Sequence, residues 1–451
     1  MKILIIGCGK VGYTLAQELD REGHDIVVVD NKASAIHQIT DSIDVMGIIG
    51  NGASYTVLKE AGIEDASLLI AVTESDELNL LCCLFAEKAG NCETIARVRN
   101  LQYNDEINFI REKMGLSMTI NPELEAAVEM SRLIRIPSAI KVDSFANGRV
   151  ELLKFEIPEA SILDNMLLIN LNKMVKGQLL VCAVERDDQI FIPSGKFILQ
   201  AHDKISFLAS PKTATYFFKE IGIISHPIKD IIMVGGGTLG IYLASKLIKY
   251  GIKVTIIEQN LDKCSELSEL FPEALIIHGN ASDNNLLLEE GIEGTDAFAS
   301  LTNLDELNIL LSLYAHKVSS AKTFTKITRL AYDDIISEMP LGVIVNPKVI
   351  TAERIIQHVR AMGNPKGSNV ETLYKIISNK VEALEFRVRN NSSLIGIPLE
   401  KLNLKSELLV GCINRHGTII IPDGKDTIQI GDTVIIVTTN TGLNDLSDIL
   451  L

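Results

Sequence analysis

Two stretches decide the architecture: ILIIGCGKVGYTLAQEL, from Ile3 to Leu19, and IIMVGGGTLGIYLASKL, from Ile231 to Leu247. Each opens as an unbroken apolar run, passes through three glycines spaced G-x-G-x-x-G, and continues with apolar residues at helical spacing. Gly7, Gly9 and Gly12 in the first copy match Gly235, Gly237 and Gly240 in the second. A strand that turns on such glycines straight into a helix is the fingerprint of a dinucleotide-binding βαβ unit. The first glycine permits the tight turn and the second lets the backbone approach a pyrophosphate. The third lets helix pack closely on strand, and the phosphates rest on helix N-terminal amides.

An acid at a strand end completes the fingerprint in each copy, Asp30 in the first and Glu258 in the second. Both stand about 20 residues beyond the glycines, where a carboxylate accepts hydrogen bonds from an adenosine ribose. A carboxylate there repels a ribose 2′-phosphate, and no Arg follows either acid directly, so NAD or a plain adenine nucleotide is favoured over NADP.

The similarity runs well beyond the loops. GNGASYTVLKEAGIEDASLLIAVTESDELNLL, from Gly50, aligns with GNASDNNLLLEEGIEGTDAFASLTNLDELNIL, from Gly279, and IPSGK at Ile192–Lys196 aligns with IPDGK at Ile421–Lys425. Duplication therefore covers nearly the whole chain, and repeats of this kind set the fold before any local reading does. Apolar runs alternating with helical periods, such as ILII, DIVVVD, LLIAVT and TIARV, predict a parallel sheet with right-handed crossovers in each half.

Asn121-Pro122-Glu123 and Asn346-Pro347 carry the signature of a helix start. The first of these helices is expected to run through Ala126, Ala127, Met130, Leu133 and Ile134 until Pro137 stops it. Short alternating runs follow, with hairpin turns predicted at Arg186–Asp188 and Arg415–Gly417. The expected fold is thus α/β: two Rossmann-like domains, at 1–122 and 223–347, each followed by a connector helix and a small α+β accessory domain, at 123–222 and 348–451.

Candidate binding residues gather at the strand ends. The first site draws on Gly7, Cys8, Gly9, Lys10, Val11, Gly12 and Asp30, and the second on Gly235, Gly236, Gly237, Thr238, Leu239, Gly240 and Glu258. Asn51 and Gly52, with Asn280 and Ala281, either face an adenine ring or simply meet the backbone needs of a turn. Thr73, Glu74 and Thr302 close the fourth strands, where Thr followed three residues on by an acid reads equally as ligand contact or helix cap. Arg97 is a candidate phosphate partner, and its counterpart Lys326 keeps the charge without the bidentate fork.

Composition excludes other classes. At 451 residues the chain exceeds one ordinary domain of about 150. With 43 basic against 58 acidic residues the formal net charge is −15, and no basic stripe would neutralise a phosphate backbone. The same charge disfavours direct docking on an anionic bilayer, and no apolar run approaches the roughly 20 residues that span one. The opening MKILIIGCGKVG reads as a first strand rather than a signal peptide. Seven scattered cysteines without CxxC spacing fit reduced cytosolic thiols, and the eight histidines form no metal-binding pair.

Taken together, G-x-G-x-x-G at Gly7–Gly12, Asp30, the GNGAS and GNAS turns, AGIEDASLLIAVTESDELN and the ARV strand with Arg97 resemble the tandem RCK, or KTN, domain family of Trk potassium-uptake regulatory subunits. The resemblance spans essentially the full length. It implies a subunit without transport or redox chemistry that assembles as a ring, a homotetramer, beneath a TrkH-like channel on the inner face of the membrane and binds NAD(H), ATP or ADP. It also implies that Gly7–Val11, Asp30, Thr73, Glu74 and Arg97 line one nucleotide site, and Gly235–Leu239, Glu258 and Thr302 the other. The competing reading is an NAD-dependent dehydrogenase. Tyr242 and Lys246 match the YxxxK spacing of short-chain dehydrogenases, yet they fall on the helix after the second glycine loop, where that helix cradles phosphate.

Overall fold

The computed structural model describes the chain except at residues 91, 101–102, 104–105, 137–138, 146–148, 175–177, 188, 223–227, 329–332, 363–369, 378–380, 389–393, 441–442 and 444. Pro137 and Asp188 therefore lie outside the described residues.

The first half opens with strands β1 (Lys2–Ile6), β2 (Asp25–Asp30), β3 (Met46–Ile49), β4 (Leu68–Ala71), β5 (Glu93–Arg97) and β6 (Met118–Ile120). They form one parallel sheet in the order β3-β2-β1-β4-β5-β6. Ile3–Ile6 and Leu68–Ala71 are buried at every position, hence on both faces, which is why these strands read as continuous rather than alternating apolar runs. The strand order reverses between β1 and β4, and the crevice beyond their carboxyl ends is where ligands bind in open α/β sheets.

The helix Pro122–Arg135 follows, its start capped by Asn121, whose Oδ1 accepts the Leu124 amide at 3.0 Å. It buries Ala126, Ala127, Met130, Leu133 and Ile134, the stripe expected of it. An antiparallel sheet comes next, built from β7 (Lys141–Phe145), β8 (Val150–Glu156), β9 (Leu179–Arg186), β10 (Gln189–Phe191) and β11 (Lys204–Ala209), in the order β10-β9-β11-β8-β7.

The second half repeats both layers. Strands β12 (Asp230–Val234), β13 (Lys253–Glu258), β14 (Leu275–His278), β15 (Ala297–Ser300), β16 (Lys322–Lys326) and β17 (Val343–Val345) are parallel, in the order β14-β13-β12-β15-β16-β17. The helix Pro347–Met362 starts at Asn346, whose Oδ1 takes the amides of Lys348 and Val349. Strands β18 (Val370–Ile377), β19 (Val381–Arg387), β20 (Leu408–Arg415), β21 (Thr418–Ile420) and β22 (Thr433–Thr438) then form an antiparallel sheet ordered β18-β19-β22-β20-β21, the topology of the first accessory sheet. The turn between β20 and β21 places His416 and Gly417 at φ 47° and 90°, the left-handed pair that a tight hairpin requires.

By contact the chain divides into two compact units, one of Met1–Ser131 with Ile228–Ile356 and the other of Arg132–Pro227 with Gln357–Leu451. The two Rossmann-like halves thus form one unit and the two accessory halves the other. In the accessory unit a single core joins Phe145, Val150, Leu152, Cys182 and Leu208 to Val381, Ala383, Cys412, Ile435 and Val437. Even its ion pairs are duplicated. The Arg186 guanidinium grips the buried Asp203 through Nε at 2.6 Å, and Arg415 grips the buried Asp432 at 3.0 Å. The seven cysteines are free and buried.

Candidate functional site

Each loop's three glycines exist for different physical reasons. Gly7 and Gly235 adopt φ of 102° and 106°, a backbone conformation costly for any other residue. A Cβ on Gly12 would stand 1.9 Å from the Gly7 carbonyl oxygen, and one on Gly240 would stand 2.5 Å from that of Gly235. The middle glycines have neither excuse. Gly9 and Gly237 have ordinary φ of −65° and −68°, and a Cβ on either would meet no protein atom within 4 Å. What a side chain would displace there lies outside the protein. That open approach, at the N-terminus of a helix of 12 residues in each half, suits a phosphate group.

The acids brace these loops. Asp30 accepts the Cys8 amide at 2.7 Å on Oδ2 and the Lys32 amide at 2.9 Å on Oδ1. Glu258 accepts the Gly236 and Asn260 amides, both at 2.9 Å. Each carboxylate is thereby fixed at the strand end with lone pairs left for a ribose. Burial and the neighbouring Asp30 push the Cys8 thiol up to about 12, so it stays protonated.

The fourth-strand threonines do not cap helices. Thr73 Oγ1 donates to the buried Asn79 Oδ1 at 2.6 Å, and Thr302 Oγ1 donates to Asn308 at 2.7 Å. The two asparagines also donate to the carbonyls of Arg97 and Lys326, tying the fourth strand to the fifth. The cap of the helix Asp76–Gly90 is supplied by Ser75, whose Oγ accepts the Leu78 amide. The acids take a different job as well: Asp76 accepts the Arg99 and Asn100 amides, and Asp305 accepts the amide and hydroxyl of Thr328. The repeated DELN would have revealed both residues, since it is identical in the two halves.

Asn51 and Asn280 turn their Oδ1 atoms onto the backbone two residues ahead, at 3.0 Å each, the turn chemistry that was the alternative to adenine contact. Gly52 is a packing residue, because a Cβ there would stand 2.2 Å from Ile6 Cγ2. Arg97 is buried, and its guanidinium donates to the Thr73 carbonyl. Burial and the adjacent Arg99 lower its pKa. Glu74 is exposed, and its carbonyl accepts from Arg99 at 3.0 Å.

A cavity of about 470 Å³ lies over the second loop. Gly235, Gly237, Thr238, Leu239, Glu258, Asn280, Ala281, Thr302 and Lys326 all line it, so the structure gathers most of the residues assigned to that site. Arg99 and Glu123 line it too, and these come from the opposite half. A separate cavity of about 430 Å³ adjoins the first loop at Cys8, Gly9 and Lys10, and here Thr328, Asn346 and Lys348 come from the second half. The Lys10 ammonium reaches across to the Thr328 carbonyl at 3.2 Å. Arg99, Glu123, Thr328 and Lys348 escaped the sequence reading. Tyr242 lies buried away from these cavities, its hydroxyl accepting from Asn121 at 3.0 Å.

Paired Rossmann folds with phosphate-ready glycine loops, each followed by an antiparallel accessory domain, define a class of tandem nucleotide-site proteins. The TrkA-N domain model matches residues 3–122 and 231–347, and the TrkA-C domain model matches residues 152–222 and 383–451. The chain belongs to the TrkA family. It is 32% identical over 441 residues to the Trk system potassium uptake protein TrkA of Halomonas elongata, covering 97% of this chain and 95% of that protein. The Haemophilus influenzae protein of the same name is likewise 32% identical, over 97% and 95% of the two chains. Among solved structures, the GsuK channel bound to NAD aligns with a TM-score of 0.64 at 15% identity, covering 97% of this chain and 76% of that one, a likeness of fold.

Proposed function

We propose that this chain is a cytoplasmic regulatory subunit that binds adenine nucleotides and gates a membrane-embedded potassium channel of the TrkH kind. The observation that carries the reading is the pair of middle glycines, Gly9 and Gly237, which neither backbone geometry nor packing requires and which stand open at helix N-termini. Relatives alike over nearly their full length bear the name of a potassium uptake system. The fold is shared with a channel whose structures carry NAD in one case and ADP in another. NAD(H) is the ligand that Asp30 and Glu258 suit, with ATP and ADP as adenine-bearing alternatives. Among the described residues no helix is long and apolar enough to cross a membrane, so attachment runs through the channel partner.

Gating follows by population shift. A ring of these chains, a homotetramer, has conformations that open or close the channel, and a nucleotide moves that balance only if it binds them with different affinity. A preference of about 1–3 kcal/mol is the usual scale of such coupling. No substrate is consumed in this scheme. Nucleotide analysis of a denatured extract of the purified protein should recover an adenine-bearing compound, and titrating that compound should change potassium current through the reconstituted partner. Failure to bind any adenine nucleotide would overturn the reading.

A further inference from the structure

Each glycine loop is met by residues of the opposite repeat, and these residues differ in charge. Arg99 aligns with Thr328, and Glu123, which follows Asn121-Pro122, aligns with Lys348, which follows Asn346-Pro347. The second loop's cavity therefore receives a carboxylate at the position where the cavity beside the first loop receives an ammonium. Lys348 is half-buried, and among the described residues its ammonium has no hydrogen bond or ion pair. Asp305, the carboxylate whose charge it feels, is already engaged by the Thr328 amide and hydroxyl. Lys10 lines the same cavity, and Gly9 opens onto it. Burial and the positive charges of Lys10, Arg97 and Lys326 lower the Lys348 pKa, and the nearby Asp305 only partly opposes them.

We propose that Lys348, supplied by the second repeat, binds the terminal phosphate of a nucleoside triphosphate held on the first glycine loop, making that site selective for triphosphate over dinucleotide without a divalent cation. The inference rests on the nucleotide reading given above. A phosphate chain seated on the amides at Gly9 to Val11 extends into the cavity that Lys10 and Lys348 line, where a further phosphate neutralises two crowded ammonium groups. A dinucleotide has no terminal phosphate to offer them. At the second loop Glu123 offsets the positive charge that Arg99 and Lys326 bring to the cavity.

The test uses the full chain with Gly237→Glu, which places a carboxylate in the open approach of the second loop and leaves the first as the binding site. Calorimetric titrations with ATP and with NAD, both in EDTA, are then compared for Lys348, Lys348→Ala and Lys348→Arg. Lys348→Ala should weaken ATP about tenfold or more, the scale of one charge-assisted hydrogen bond, and leave NAD within about twofold, while Lys348→Arg keeps ATP binding. Conversely, Glu123→Lys in a Gly9→Glu background should strengthen ATP at the second loop. Equal weakening of ATP and NAD by Lys348→Ala, or no weakening of either, would overturn this proposal and leave the nucleotide reading standing. Absence of binding by both ligands to the chain with Lys348 intact would overturn both.

Discussion

The two repeats agree in backbone chemistry and disagree in what surrounds it. Asp30 and Glu258 hold their loops through the same pair of amides, and Asn79 and Asn308 lock the fourth and fifth strands through the same four atoms. Charge is where they part: Lys10 aligns with Thr238, Arg99 with Thr328, and Glu123 with Lys348. The accessory cores part as well. The first interlocks Phe155, Phe207, Phe217 and Phe218 edge to face, with Phe207 and Phe217 centred 4.9 Å apart, whereas the second packs Leu384, Ile436, Leu446 and Ile449 around Phe386. The scaffold is thus the constant part of the duplication, and the residues that each half lends to the other's cavity, like those filling the accessory cores, are the variable part.

Truncation of the aromatic core gives the largest expected effect. Phe217→Ala should destabilise the accessory unit by about 3–5 kcal/mol, and Ile449→Ala in the aliphatic counterpart by about 2–4 kcal/mol, both read by denaturant unfolding. Equal losses would mean that the aromatic interlocking adds nothing. Next come the glycines. Gly12→Ala drives a Cβ into the Gly7 carbonyl and should cost about 2–3 kcal/mol. Gly9→Ala should shift stability by less than about 0.5 kcal/mol while weakening nucleotide binding, and a stability loss to match Gly12→Ala would refute the claim that Gly9 faces a ligand. Tyr242→Phe removes the hydrogen bond from Asn121 that joins the two Rossmann halves and should cost about 1 kcal/mol in thermal unfolding.

The smallest effect separates the accessory repeats by pH. His202 stands between Glu156 and Glu159, whose hydrogen bonds raise its pKa above the ordinary 6.5, while the aligned position in the second repeat is Gly431. A raised folded value means the stabilisation is fully present below pH 6.5 and is lost as pH rises through the folded value. His202→Gln should therefore lower the unfolding midpoint slightly at pH 5.5 and leave it unchanged at about pH 8.5, since the ring is exposed and its ion pairs are screened by solvent.

Much of this was legible in the sequence because it is local or periodic. The glycines, Asp30 and Glu258 sit at fixed intervals from a strand, and the duplication lets each copy check the other. The functions of Thr73 and Asp76 were not legible, because a Thr followed three residues on by an acid writes the same letters whether the pair caps a helix or ties strands together; only the position of Asn79, six residues beyond Thr73, decides. Arg99 and Lys348 were harder still. Their importance comes from the docking of one repeat on the other, which no spacing within a repeat encodes. The contrast of Glu123 with Lys348 was visible as a mismatch between copies, but only the cavities give it meaning.

The reciprocal lending of residues between repeats has a consequence for how such a sensor can change. Were the halves separate, identical chains meeting about a two-fold axis, any replacement at a lending position would alter both receptors together. Joined in one polypeptide, they are free of that constraint, and a single codon can retune one input while the other keeps its preference. Fusion turns a symmetric pair into an instrument with two independently adjustable channels.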